Sequence, residues 1–141
     1  MPTPITGRCY CGGVTFQIAE PPVAQRSCWC RDCQYLSCGN ASVNLMCVSA
    51  SVSVEGKVAE YVSTADSGNT MRRRFCPTCG TQLFSASDAR PEYVVVRAGA
   101  LYDPELGKPT AFIWTRSTPS WGLFDQALPC FETSAPTVKS A

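Results

Sequence analysis

The sequence predicts a mainly β domain, a folded sheet or sandwich of short strands. Three observations carry this expectation. β-Branched residues are abundant: Val, Ile and Thr total 27, against 10 for Leu and Met, and such side chains fit a pleated surface better than a helix. Short runs of these residues recur at intervals of roughly 8–15 residues, separated by Gly, Pro, Asn and Asp. No stretch holds a 3.6-residue apolar period.

In chain order, strands are expected at 13–18, 42–48, 51–55, 60–63, 70–75, 82–85, 93–98 and 110–115. Turn chemistry separates them, as at 65–69 and at Tyr102-Asp103-Pro104. Residues 33–36 offer at most one short helical turn. No linker divides the 141 residues, so one domain is expected over 5–132, with a flexible tail over 133–141. Residues 1–7 lack a basic and then apolar leader, and the longest apolar stretch, 43–54, is shorter than the roughly 20 residues a membrane span needs. The expectation is a soluble, cytoplasmic protein.

Composition removes whole classes of chemistry. The chain has ten Cys and no His. Ser-His-Asp triads, Cys-His dyads, imidazole bases and Cys₂His₂ fingers are therefore excluded. The net charge of +1 is not the basic footprint of a nucleic-acid binder. In a reducing compartment so many thiols point to metal ligands or reactive groups; a disulfide framework is the alternative.

The cysteines fall into patterns. Cys76-Pro77-Thr78-Cys79-Gly80 is a knuckle: the turn aims two sulfurs at one point, and Gly80 accepts the positive φ of the exit. Cys9 and Cys11, read as i and i+2 of an extended strand, share a face and complete a Cys₄ set with Cys76 and Cys79. A thioredoxin-like dithiol is the competing reading of Cys76 and Cys79, but strand-like residues follow where that motif needs a helix. Cys28, Cys30 and Cys33 form a second set, presented by one loop. Three protein ligands with a fourth position open suit a catalytic or ligand-binding zinc. Closure of that site by Cys38 or Cys47, or a metal-free loop, are the alternatives. Cys130 reads as a spare thiol.

The order Cys9-Tyr10-Cys11-Gly12-Gly13-Val14-Thr15-Phe16, then Cys28 to Cys33, then Phe75-Cys76-Pro77-Thr78-Cys79-Gly80-Thr81-Gln82-Leu83 resembles the glutathione-dependent formaldehyde-activating enzyme family, the CENP-V/GFA domain. The closing segment, with Pro109, Trp114, Pro119-Ser120-Trp121 and Leu128-Pro129, is similar too. The resemblance spans residues 5–132 and implies an Mss4-like β fold stapled by zinc. It implies a structural zinc on Cys9, Cys11, Cys76 and Cys79. It also implies a second zinc on Cys28, Cys30 and Cys33, with a glutathione thiol as fourth ligand. The implied activity is that of a carbon–sulfur lyase on thiol–aldehyde adducts, with glutathione or a similar thiol as co-substrate. Trp29 stands where many relatives have His or Asn, Gln34 where many have Arg, and Ala111 or Phe112 where many have His.

Arg26, Arg31 or one of Arg72, Arg73 and Arg74 is a candidate holder of a substrate carboxylate; a solvated strand edge is the plainer reading of the Arg run. Trp29, Trp114 and Trp121 are candidate pocket walls, with core packing favoured for the last two. The expected partners are a small thiol and an aldehyde, with no nucleic acid and no membrane; a homodimer is compatible with the sequence. The opposing reading is a zinc-stabilised protein-binding or scaffold module without catalysis.

Overall fold

The computed structural model describes residues 3–65 and 68–136. Two sheets make the fold. β1 (Ile5–Arg8), β2 (Thr15–Ile18) and β5 (Val52–Glu55) form a three-stranded sheet in the order β1-β2-β5. The second sheet has seven strands in the order β10-β3-β4-β9-β8-β7-β6. These are β3 (Ala24–Cys28), β4 (Ser42–Val48), β6 (Ala59–Thr64), β7 (Thr70–Phe75), β8 (Gln82–Ser87), β9 (Tyr93–Arg97) and β10 (Ala111–Ile113). All its pairings are antiparallel except β10 with β3. α1 (Arg31–Leu36) is the one α-helix among the described residues, and none there is long and apolar enough to cross a membrane.

The mainly β, two-sheet fold is the class expected from the sequence. Two strands were not anticipated. β1 is four residues with Gly7 in its middle, and β3 (Ala-Gln-Arg-Ser-Cys) contains no β-branched residue. Their neighbours dictate them: β3 is paired on both sides, by β4 and β10, so tertiary context overrides propensity. The turn expected at 65–69 includes residues 66 and 67, which lie outside the described set; across it, Gly68 N–H donates to the Ala65 carbonyl at 2.8 Å.

Strand alternation gives the large sheet two unlike faces. Leu45, Cys47, Phe84, Val94 and Val96 share the face that meets the small sheet, where they pack with Val14, Phe16 and Ile18. Each fully buried side chain of this size contributes about 1.5–3 kcal/mol. The rings of Phe16 and Phe84 cross the gap edge-to-face, 5.4 Å apart. The opposite face, by the same register, carries Cys28, Ser42, Asn44, Arg97, Ser85 and Arg73. One face makes the core; the other carries these polar side chains and Cys28, with Met46 and Val95 among them.

The C-terminal segment closes the β10 edge. Phe112 N–H donates to Pro129 O at 2.9 Å, Phe131 N–H to Phe112 O at 2.9 Å, and Trp114 N–H to Thr133 O at 2.9 Å. Thr133, the first residue of the expected tail, is thus bonded into the fold; residues 137–141 lie outside the described set.

Candidate metal centres

The first cluster is built by two turns from distant parts of the chain. Cys9 and Cys11 lie in the turn between β1 and β2, not in an extended strand as the i, i+2 spacing suggested. The reason is local: Gly12 takes φ +82°, and its N–H donates back to Cys9 O at 3.1 Å. Cys76 and Cys79 lie in the turn between β7 and β8, where Gly80 has φ +78° and its N–H donates to Cys76 O at 2.9 Å. The four sulfurs all lie within 4.8 Å of one another. Cys9 and Cys11 Sγ are 3.6 Å apart, and Cys11 and Cys76 Sγ 3.7 Å. A tetrahedron with Zn–S bonds of about 2.3 Å has edges of about 3.8 Å, so the spacing fits zinc. A disulfide would need about 2.05 Å, and all ten cysteines are unbridged.

The surrounding backbone is arranged for thiolates. Val14 N–H donates to Cys9 Sγ at 3.2 Å, Gly13 N–H to Cys11 Sγ at 3.4 Å, Thr78 N–H to Cys76 Sγ at 3.4 Å and Cys11 N–H to Cys79 Sγ at 3.4 Å. Every sulfur therefore has an N–H donor, which spreads the negative charge of a thiolate–metal set. The Thr81 hydroxyl and N–H, then the Cys11 N–H, hold the Cys79 thiol down at about 5. At Cys11 the Gly13 N–H pulls the thiol down, but Cys9, burial, Cys76 and Cys79 outweigh it and push it up to about 11. Four thiols this close ionise together only around a cation.

The second cluster is Cys28, Cys30 and Cys33, whose sulfurs also lie within 4.8 Å of one another. A single loop does not present them, as had been expected. Cys28 ends β3, Cys30 caps the N-terminus of α1, and Cys33 sits in its first turn. Cys33 N–H donates to Cys30 Sγ at 3.3 Å. Gln34 locks this corner: its amide nitrogen donates to Trp29 O at 2.7 Å and to Ser117 O at 3.0 Å. Hydrogen bonds from Cys28 and Cys30, then one from Ser42, hold the Cys33 thiol well below its ordinary value, and Arg97 adds attraction. Cys28 is pushed far up by Cys30 and Cys33. Three thiols this close oppose one another's ionisation, and a divalent cation would allow all three to ionise. Cys38 and Cys47 belong to neither cluster. Cys47 is buried on the core face, its thiol directed at Leu45 O, and Cys38 is exposed with φ +59°.

A family model described as glutathione-dependent formaldehyde-activating enzyme matches residues 4–117. The chain belongs to this family. All seven clustered cysteines fall inside the match. A solved structure of a Rhodobacter sphaeroides protein is 20% identical, with a TM-score of 0.57, covering 74% of this chain and 96% of that one; the likeness is one of fold. No functionally curated protein matches the chain at a significant level.

Within this family member, the other candidates from the sequence separate. Trp29 is 1% exposed and closed over by the loop at Gly122, so it packs in the interior instead of lining a pocket. Trp121, expected in the core, is 64% exposed. Trp114 is half-buried with Arg116 over its ring. Arg31 stacks on Tyr35 and donates to Gln34. Arg26 reaches Pro136 O at 3.4 Å. Arg72 and Arg74 share one face of β7 and pair with Glu60 and Asp88 at 2.7–2.9 Å. Arg73 points to the other face, the one with the second cluster. Cys130 is exposed, its thiol 3.2 Å from Leu128 O.

Two positions beside the clusters escaped the sequence reading. Arg97 lies 64 residues beyond Cys33 in sequence, and only the β4–β9 register brings it to the cluster. Thr81 follows the knuckle; its hydroxyl meets Cys79 Sγ at 3.2 Å and accepts from Tyr10 N–H at 3.0 Å, tying the two turns together. Thr81→Val keeps the shape and deletes both bonds. It is expected to weaken zinc retention at the first site by about 10–100-fold, measured by competition with a chromogenic chelator. Unchanged retention would remove Thr81 from the site's support.

Proposed function

We propose that the protein is a zinc-dependent enzyme of the carbon–sulfur lyase type, acting on thiol–aldehyde adducts of the glutathione and formaldehyde kind. The observation that supports this reading is the difference between the two clusters. The first offers four sulfurs and the second three, with no further cysteine beside it. Cys9, Cys11, Cys76 and Cys79 would hold a structural zinc, and Cys28, Cys30 and Cys33 a second. When bound by three thiolates, zinc keeps a position open and favours the deprotonated form of an incoming thiol.

The chain's own residues do the rest. Cys33 N–H fixes the Cys30 sulfur, and Gln34 fixes the strand-to-helix corner on which all three ligands depend. The polar face of the large sheet receives the remainder of the substrate. In the forward direction a thiol loses its proton, its sulfur forms a bond to the aldehyde carbon, and the carbonyl oxygen takes up a proton. The reverse step breaks that C–S bond and restores both molecules. Holding the partners together lowers the entropic part of the barrier. No imidazole exists in the chain, so proton exchange with solvent completes the cycle.

Exchange spectroscopy with ¹³C-formaldehyde and glutathione tests this. The interconversion of hydrate and hydroxymethyl adduct is expected to accelerate in proportion to protein. The acceleration should vanish in Cys30→Ser. An exchange rate equal to that of the uncatalysed mixture would leave the scaffold reading in place.

A further inference from the structure

The seven-stranded sheet is closed at one end and open at the other. Beyond β10, residues 129–131 bond along the edge. In the small sheet, Tyr102 N–H donates to Thr6 O at 3.1 Å and Leu101 bridges Gly7, which covers the β1 edge. The β5 edge is only four residues long, and shortness itself guards against stray pairing. β6 has neither cover nor brevity. It runs for six residues, Ala59–Thr64, in unbroken register with β7. It contains no Pro, no Lys and no bulge, the usual devices that blunt an edge. Tyr61 is 64% exposed and Val62 47%.

The register tells which backbone groups of β6 face outward. Ala65 N–H donates to Asn69 O at 2.9 Å, at the mouth of the β6–β7 hairpin. Hydrogen-bonded and non-bonded pairs alternate along an antiparallel ladder. Thr64 opposite Thr70, Val62 opposite Arg72 and Glu60 opposite Arg74 are therefore the non-bonded pairs. Thr70 has the matching phase: its carbonyl accepts from Asp88 N–H on the β8 side at 3.0 Å. The N–H and C=O groups of Glu60, Val62 and Thr64 thus point away from β7, and no other described segment bonds them.

We infer that β6 is the surface on which two copies of this chain pair, antiparallel, about a two-fold axis at Val62. A strand that closes on its own copy needs a self-complementary register. Here Val62 faces the partner's Val62, and Glu60 faces the partner's Thr64 on either side of the axis. Each of these three pairs makes two hydrogen bonds, so every outward group of the strand is used. The registers of correct phase centred on Tyr61 or Ser63 use two such pairs. Charge favours the copy as well. Glu60 is the strand's one ionised side chain, and Arg72 and Arg74 of its own chain hold it at 2.9 Å. It meets a threonine, and the two Glu60 residues stand about 13 Å apart along the strands. The exposed side chains gain cover: Val62 from the partner's Val62, and Tyr61 in a non-bonded pair with the partner's Ser63, where side chains approach closest. The pairing joins two seven-stranded sheets into one.

Sedimentation equilibrium of the reduced protein tests this. A dilution series is expected to show a monomer–dimer equilibrium and nothing larger. Val62→Lys sets two ammonium groups opposite each other at the axis and should raise the dissociation constant about 10-fold or more. Leu123→Lys, at an 88% exposed site outside β6, should leave it unchanged. Residue-by-residue hydrogen exchange in the native protein gives a second reading. The amides of Glu60, Val62 and Thr64 should slow as concentration rises, while those of Tyr61 and Ser63, already bonded to β7, stay as they are. If Val62→Lys is insoluble, the exchange pattern decides.

A one-chain mass up to about 1 mM would overturn the proposal. So would a dimer that Val62→Lys leaves intact, or one whose outward β6 amides exchange as fast as in the monomer, because the contact would then lie elsewhere. Larger assemblies would overturn it too, since an edge consumed by its own copy has nothing left to offer a third.

Discussion

Cys76→Ser is expected to give a chain that does not fold. Cys76 is buried, its sulfur 3.7 Å from Cys11, and it accepts N–H bonds from Thr78 and Cys79. The turn it belongs to leads into β8 of the large sheet, and the turn of Cys9 and Cys11 leads into β2 of the small one. A metal shared by the two turns would therefore join the sheets at one end of the core. Structural zinc contributes about 10–16 kcal/mol apparent in small zinc-binding peptides, and whole domains are stable by only about 5–15 kcal/mol. Exchanging one thiolate for a weakly binding hydroxyl removes a share comparable with the total. Soluble yield, far-ultraviolet circular dichroism and zinc content measure the effect. A variant that stays folded with both zinc equivalents would show that the first cluster is not the staple.

Cys30→Ser should behave in the opposite way. Serine is a good helix N-cap, and its oxygen can accept the Cys33 N–H that the Cys30 sulfur accepts now. α1 and the Gln34 bonds to Trp29 and Ser117 then persist. What is lost is one of three metal ligands. Zinc is expected to fall from two equivalents to one, with a melting curve close to that of the native protein and no thiol-dependent activity. Elemental analysis and thermal melts of both serine variants form one experiment. If Cys30→Ser unfolds while Cys76→Ser does not, the two sites exchange roles.

The sequence made the sulfur visible and concealed the charge. Cysteine pairs at two- and three-residue spacing are local patterns, so both cysteine clusters could be read without knowing the fold. Strands such as β4 and β9 were legible through their β-branched residues. β3 was not, because Gln25, Arg26 and Ser27 are held in a strand by pairing on both sides. Arg97 was hidden for a related reason: its place beside Cys33 follows from the Asn44–Arg97 register, and register is a property of two strands together. Arg73 was named among three arginines, but which of them faces the cluster depended on the β7–β8 pairing and its shift between Arg74 and Phe75. Trp29 and Trp121 were misassigned because burial of a ring depends on what covers it, and the loop at Gly122 that covers Trp29 has no sequence signature.

The first cluster also sets a timetable for the newly made chain. Cys11 and Cys76 are 65 residues apart. At roughly 5–20 residues per second of synthesis, the N-terminal pair of thiols leaves the ribosome about 3–13 s before its partners. During that interval Cys9 and Cys11 can bind zinc only as an incomplete, exchangeable pair, and the small sheet has nothing to dock on. Cys28, Cys30 and Cys33 emerge in the gap, but the corner that gathers them also waits for Ile113 and Ser117, which accept from Trp29 N–H and the Gln34 amide. A shortage of zinc would prolong that interval, and the waiting thiols would stand open to oxidation.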